Sequence, residues 1–435
     1  MRINRAIRGR TGTVARLFVA FSALVFGGTL FGIANTGAAS AASKPKTVTL
    51  QYWSTYNTAD KEASTIANVI IPKFEKENPG IKVKSVIYPY SDLLNKFIAT
   101  SAAGNPPDVM RSDIAWVAQL AGQGIIQNVG GLKGFSAIKK DALPGPLLTT
   151  EVKGKFYAYP DDTNTQALYW NKADFAAAGI TSPPTTITQM LADAATLTVP
   201  AKQQYGLGVD GTDIWNMAPY VWSMGGSFTN AKYTTASGFM DSSATQTAVS
   251  TLLTALKAGY IGSDFQGGAS AVSGEAGFPK GEYAMYIDGP WAINTYAALS
   301  PVPSYGIAPF PSGAGGSHST VGGEDTVVAK NGKHIAAADK FAAFLASPFA
   351  QLAMAKQGDM TSFKTDSAAE VKATPSYKVF ATQLLTSKIR ANSAGYSALD
   401  TAWSNVMGQI LAGGVTVAAG LATATQEANS ALAGS

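Results

Sequence analysis

The chain has no cysteine among its 435 residues. That excludes disulfides, thiolate metal sites and thiol nucleophiles, and it excludes the modified cysteine on which a lipoprotein precursor is cleaved. Histidine is nearly absent. His318 lies in GAGGSHST, and His334 follows Asn331-Gly332-Lys333. A histidine-based zinc site has almost nothing to build on, and a Ser-His-Asp triad would have to use one of these two. No G-x-S-x-G, Walker A or H-E-x-x-H motif occurs. Charged residues are sparse at 14%, so stability must come from a large ordinary core, for which 46% hydrophobic residues suffice.

The first 41 residues are set apart from the rest. Arg2, Arg5, Arg8, Arg10 and Arg16 stand without an acid among them, LFVAFSALVFGGTLFGI follows as an apolar run, and NTGAASAAS supplies small residues. This is the pattern of a secretory signal, with cleavage expected at Ala39-Ser40-Ala41. The competing reading, an uncleaved anchor, needs ~20 apolar residues, and this run is shorter and carries Gly27, Gly28 and Gly32. Without an Arg-Arg pair, the general secretory route is expected. The formal charge of +5 belongs to this segment: without its five arginines the chain carries 28 basic and 28 acidic residues. No nucleic-acid or anionic-membrane partner follows from charge.

The remaining chain alternates strand and helix signals. Val48, Leu50 and Tyr52 alternate with polar residues, Ile66, Ile70 and Phe74 recur at helical spacing, and Asn78-Pro79-Gly80 ends that helix before the strand pattern IKVKSVIY. Ser91 is expected to cap DLLNKFIATSAAG, PPDVM reads as a short strand, and Asp113 as the start of a helix through Trp116 and Leu120. QALYWNK, SYGIAP and DTVVAK read as further strands, and Ser347-Pro348 as a helix start. Strands alternating with helices predict an α/β fold with a parallel sheet.

Acids, amides and aromatics gather where strands pass into loops. YWSTYN holds Trp53, Tyr56 and Asn57; SDIAW holds Asp113 and Trp116; PDDTN holds Asp161, Asp162 and Asn164; GTDIWN holds Asp213 and Trp215; DGPW holds Asp288 and Trp291; GGED holds Glu324. Ligands of α/β sheets bind beyond the carboxyl ends of strands. Ring faces beside hydrogen-bonding acids suit a sugar, with its apolar C–H faces and equatorial hydroxyls. Core readings compete at Trp53, which ends a strand, at Trp116, and at Trp222; Trp170 and Trp403 read as core. Asp161 and Asp162 compete with a solvated turn, and Asp288 with a cap on its own turn. Trp291 is either a lid on the core or a platform facing a cleft.

These segments, in order, resemble the extracellular sugar-binding proteins of ATP-binding-cassette importers, the maltose-binding-protein-like family. The resemblance runs through VTLQYWSTYN and IPKFEKENPGIKV, GNPPDV with DIAWVAQLAGQGIIQNV, YAYPDDTNTQALYWNKADFAAAGITSPPTT, FPKGEYAMYIDGPW, and GGEDTVVAKNGKHIAAADKFAAFLASPFAQLAMAKQGDM. It implies a two-lobed α/β fold (type II) with the ligand between the lobes, a non-enzymatic role, no cofactor and no metal. It implies a monomer that delivers sugar to importer permease subunits outside the cytoplasmic membrane. It implies lobe 1 as 44–160 plus 325–358, lobe 2 as 165–320 plus 365–435, and crossings near 159–165, 318–325 and 357–365. Trp291 matches the family's stacking Trp, and Asp213 with Trp215 an acid–aromatic pair. Asp113 matches an acid used in some members, Tyr56 lies in the first ligand loop, and Glu324 flanks the second crossing. Asn164 stands where the maltose-binding members have an acid and Trp116 where they have a base, so maltose itself is in doubt. The alternatives are a polyamine or ferric iron in the same fold, the latter lacking an adjacent tyrosine pair, and a secreted carbohydrate-active enzyme using two carboxylates.

Overall fold

A computed structural model describes residues 47–434 except 57, 59, 60, 263, 264 and 266–271. The expected signal segment and Asn57 therefore lie outside the described residues. The alternation at Val48, Leu50 and Tyr52 folds as strand β1 (Val48–Ser54), which turns Leu50, Tyr52 and Ser54 inward. A helical stretch from Glu62 to Glu77, with a π turn over Ile66–Ile70, buries Ile66, Ile70 and Phe74 as their spacing predicts. It returns the chain for β2 (Ile81–Ile87), which pairs parallel to β1 along all seven residues. β3 (Val109–Asp113) pairs parallel on the other side of β1.

Here two expectations change. Asp113 is the last residue of β3, and the helix starts later, at Val117–Gly122. Ser91 sits inside a helix, Tyr90–Ala102, that begins after Pro89. Asp113 thus ends a buried strand and points its carboxylate beyond the sheet.

After a hairpin of β4 (Glu151–Val152) and β5 (Lys155–Phe156), the chain runs through β6 (Tyr159–Pro160), β7 (Asp162–Thr165) and β8 (Ala167–Asn171). These consecutive strands belong to three different sheets. β6 is the edge of the first sheet, ordered β2-β1-β3-β12-β6, where β12 is Glu324–Val328. β8 is the centre of the second, β10-β8-β9, where β9 is Met285–Asp288 and β10 is Tyr305–Ala308. β7 is the centre of a small third sheet between β11 (Val321–Gly322) and β13 (Met360–Thr361).

The expected parallel sheet is parallel only for β1, β2 and β3. β12 (Glu324–Val328) lies antiparallel beside β3, with Glu324 opposite Asp113. The reason is its direction of entry: β12 comes from the third sheet and meets β3 at the end where β3 finishes. The second sheet is antiparallel throughout, and Gly208 extends it by a parallel bridge to Tyr286.

The described core side chains gather in four clusters, and the molecule is a two-lobed α/β protein. Tyr52, Phe74 and Phe341 pack ring to ring in one. Trp403, fully buried as expected, packs on Phe228 in another and donates from Nε1 to the Thr212 carbonyl at 2.8 Å. Between β11 and β12, Gly323 takes φ +113°, and a Cβ there would stand 2.3 Å from the Asp162 carbonyl oxygen. Only glycine allows this approach. Gly323→Ala is expected to destabilise the protein by more than about 1 kcal/mol, read as a lowered denaturation midpoint; an unchanged midpoint contradicts the packing described.

Candidate functional site

A cleft of about 610 Å³ opens over the small β11-β7-β13 sheet. That volume suits a ligand of two or three rings. Its floor is built on Arg111, whose charge sits in the middle of buried β3. The Arg111 guanidinium lies over the Tyr56 ring at 4.5 Å. Nη2 donates to Asp162 Oδ2 at 2.6 Å and to Glu324 Oε2 at 2.9 Å, with Asp359 Oδ1 at 3.6 Å. One cation faces three carboxylates in a dry place. Burial pushes Glu324 and Asp359 above the usual carboxylate range, and repulsion from Asp162 adds to it. Burial opposes the Arg111 charge as well, but Asp162 and Glu324 hold it protonated.

A second guanidinium stands on the side wall. Arg390 Nη2 donates to Asp113 Oδ1 at 2.9 Å, and its plane lies 5.5 Å from the Trp215 ring and 5.6 Å from the Tyr396 ring. Tyr90 donates to the other Asp113 oxygen at 2.9 Å. Asp113 is therefore shared by residues far apart in the chain.

Trp215 is in the first turn of helix Ile214–Ser223, which Asp213 caps by accepting from Asn216 N at 3.2 Å. The indole rests against Gly322, where a Cβ would meet Trp215 Cη2 at 2.6 Å and Asn164 Oδ1 at 2.1 Å. Trp291 is likewise seated on a glycine. The turn Asp288-Gly289-Pro290 leads directly into helix Trp291–Ala297, so Trp291 opens a helix instead of following a loop. A Cβ at Gly289 would stand 2.1 Å from the indole Cζ3. The ring thus folds back over its own turn and stays half-buried, at the cleft wall.

Of the residues read from sequence, Asp113, Asn164, Asp213, Trp215, Trp291 and Glu324 line the cleft together. Five stand elsewhere. Tyr56 and Asp162 lie one layer behind, holding Arg111. Trp116 is buried and supports Tyr90, ring to ring at 4.9 Å. Trp53 packs on Tyr88 at 4.8 Å, among apolar side chains of the first lobe. Asp288 is buried beneath its turn, accepting from Gly289 N at 2.7 Å and from the Tyr296 hydroxyl. Burial raises its pKa well above the usual carboxylate range. Arg111, Arg390, Tyr90, Tyr396, Asp359 and Asp400 were not found from sequence. Arg111 had a signal, a basic residue in the middle of the short strand VMRSD; Arg390, in SKIRANS, had none. Among the described residues, no group of three or more His, Asp or Glu is arranged to hold a metal ion, and no helix is long and apolar enough to cross a membrane.

Beneath the floor, Thr326 donates to Asp161 Oδ2 at 2.8 Å. Burial and the neighbouring Asp162 push Asp161 up to about 7. This lies above the ~3.9 of an exposed aspartate, so the folded chain binds the proton more tightly than the unfolded one. The resulting stability is complete below about pH 4 and is lost as pH rises towards 7. In Asp161→Asn that loss is absent, so the melting temperature should fall less than wild type between about pH 5 and pH 7. Equal slopes contradict the assignment.

The chain is similar to known proteins over most of its length. The model of the bacterial extracellular solute-binding protein family matches residues 58–352. A putative binding protein of Brucella abortus (strain 2308) is 27% identical over 271 residues, 59% of this chain and 62% of the relative. The chain thus matches less than two thirds of that relative's length. The multiple sugar-binding protein of Streptococcus mutans is 24% identical over 320 residues, 70% of this chain and 72% of the relative. The GacH receptor of Streptomyces glaucescens GLA.O superposes with a TM-score of 0.79 at 26% identity, covering 89% of this chain and 99% of that one. Its structure is known unliganded and in complex with acarbose.

Proposed function

The chain belongs to the bacterial extracellular solute-binding protein family, and from that premise we propose that it captures an oligosaccharide outside the cytoplasmic membrane and delivers it to the permease subunits of an ATP-binding-cassette importer. The observation that carries this is the cleft itself: an indole face, Trp291, seated on Gly289 and opening onto the same space as Asp113, Asn164 and Glu324. The relatives support it, since GacH is known with acarbose and the Streptococcus mutans protein is a multiple sugar-binding protein.

In this reading the protein is a secreted monomer without catalysis. Lobe 1 is 44–160 plus 325–358, and lobe 2 is 165–320 plus 365–435. The three crossings are the strands that lie side by side as β11, β7 and β13. Short strands joined at one place let the lobes rotate about it, and closure buries the sugar. A ring face covering ~50 Å² of sugar contributes roughly 1 kcal/mol, whereas micromolar binding needs about −8 kcal/mol. Trp291 therefore works with Trp215 and with hydrogen bonds between sugar hydroxyls and Asn164, Asp113 and Glu324.

A thermal-shift screen of malto-, manno- and cello-oligosaccharides tests the proposal. A true ligand at ~100 times its Kd should stabilise by about 2.7 kcal/mol. Trp291→Ala should weaken that ligand by about fivefold or more while the unliganded melting temperature stays close to wild type. Silence from every sugar, or full affinity in the variant, overturns the reading.

A further inference from the structure

Helix Ile214–Ser223 carries a proline in its interior, Pro219. In an unbroken helix the N–H of residue 219 would donate to the Trp215 carbonyl, and proline has no N–H to give. The sequence itself thus leaves the Trp215 carbonyl without its helical donor. A carbonyl in the first turn of a packed helix needs another.

The donor comes from the small β11-β7-β13 sheet. Gln166 is the one residue between β7 and β8, and its side chain is buried. With its amide oriented by the hydrogen bonds around it, Nε2 donates to the Trp215 carbonyl at 3.2 Å, and the amide oxygen accepts from the indole Nε1 of Trp215 at 3.1 Å. Thr320 Oγ1, just before β11, reaches the same carbonyl at 3.5 Å. Gln166 is itself held, since its N donates to Ser319 Oγ at 3.2 Å. One amide thus grips one residue at two points, backbone and ring. Turning the indole away would leave a buried amide oxygen unpaired. Gln166 does not line the cleft, whereas the half-buried Trp215 does.

We infer that Gln166 is a positioning residue for ligand binding: through the carbonyl that Pro219 frees and the indole N–H, it fixes the Trp215 ring in the cleft and ties that ring to the small sheet. The inference rests on the sugar-binding reading above and adds how one of its two indole platforms is held.

Indole N–H spectra and sugar titrations of Gln166→Met test it. Methionine is close to glutamine in length and offers neither partner. In the unliganded protein the Trp215 N–H signal, identified by its loss in Trp215→Phe, should move upfield and exchange faster with water. The signals of the other tryptophans should stay in place and report an intact fold. Freeing the ring should weaken sugar binding roughly two- to tenfold, read by calorimetry with maltotriose, mannotriose and cellotriose. That factor should fall towards one in the Trp215→Phe background, where no indole N–H remains to be held. In Gln166→Glu only the protonated carboxyl both accepts and donates, so affinity relative to wild type should recover as pH falls from about 8 to 5. A Trp215 signal unmoved in Gln166→Met, or an affinity loss as large in the Trp215→Phe background, overturns the assignment. If none of the three sugars binds the wild type, the sugar reading fails, and the Trp215 signal alone decides whether Gln166 holds the ring.

Discussion

One buried guanidinium ties this structure together. Arg111 reaches Asp162 in β7, Glu324 at the head of β12 and Asp359 just before β13. All three lie in or beside strands of the small β11-β7-β13 sheet. A charge so deep costs several kcal/mol unless partners compensate it, and here each partner comes from a different stretch of chain. Losing any one of them would strip the arginine of a carboxylate and leave the others repelling. The same side chain lines the cleft, so whatever moves these strands also moves part of the cleft lining.

The small sheet around Arg111 explains why the residues behind the cleft matter as much as those on it. Tyr56 gives the guanidinium a ring to lie on, and Gln351 accepts from Thr361 Oγ1 and Ser362 N at 3.1 Å each while donating to the Asp161 carbonyl. These contacts tie the Asp161 backbone to β13 without filling the cleft. The walls follow the same economy. Asp213 caps a helix and faces the cleft; Gly289 and Gly322 give up side chains so that two indoles can lie flat.

Much of this was legible in the chain. Alternation located β1 and β2, Ser347-Pro348 marked a helix whose cap accepts from Ala350 N, and the apolar run Met285-Tyr286-Ile287 is a buried strand. The aromatic–acid loops led to six residues of the cleft. What could not be read is which way a side chain at a strand end turns. Trp53 and Trp291 both stand near the ends of strands, yet one packs on Tyr88 among apolar neighbours and the other opens a helix at the cleft. The decisive trace was the neighbouring glycine, on which the Trp291 ring sits. Arg390, Tyr396 and Asp400 lie more than 200 residues from Arg111 and Asp113 in sequence. Only the tertiary fold brings them together, and no local pattern announces it. The antiparallel β12 was missed for a related reason, since strand direction depends on the lobe from which the chain returns.

Arg111 holds three mutually repelling carboxylates together. The most direct measurement is the stability of Arg111→Met across pH. A loss of about 3–5 kcal/mol is expected near pH 7, shrinking as pH falls and Glu324 and Asp359, raised further without the guanidinium, take up protons in the variant. A variant as stable as wild type at pH 7, or a loss that does not change with pH, would contradict it.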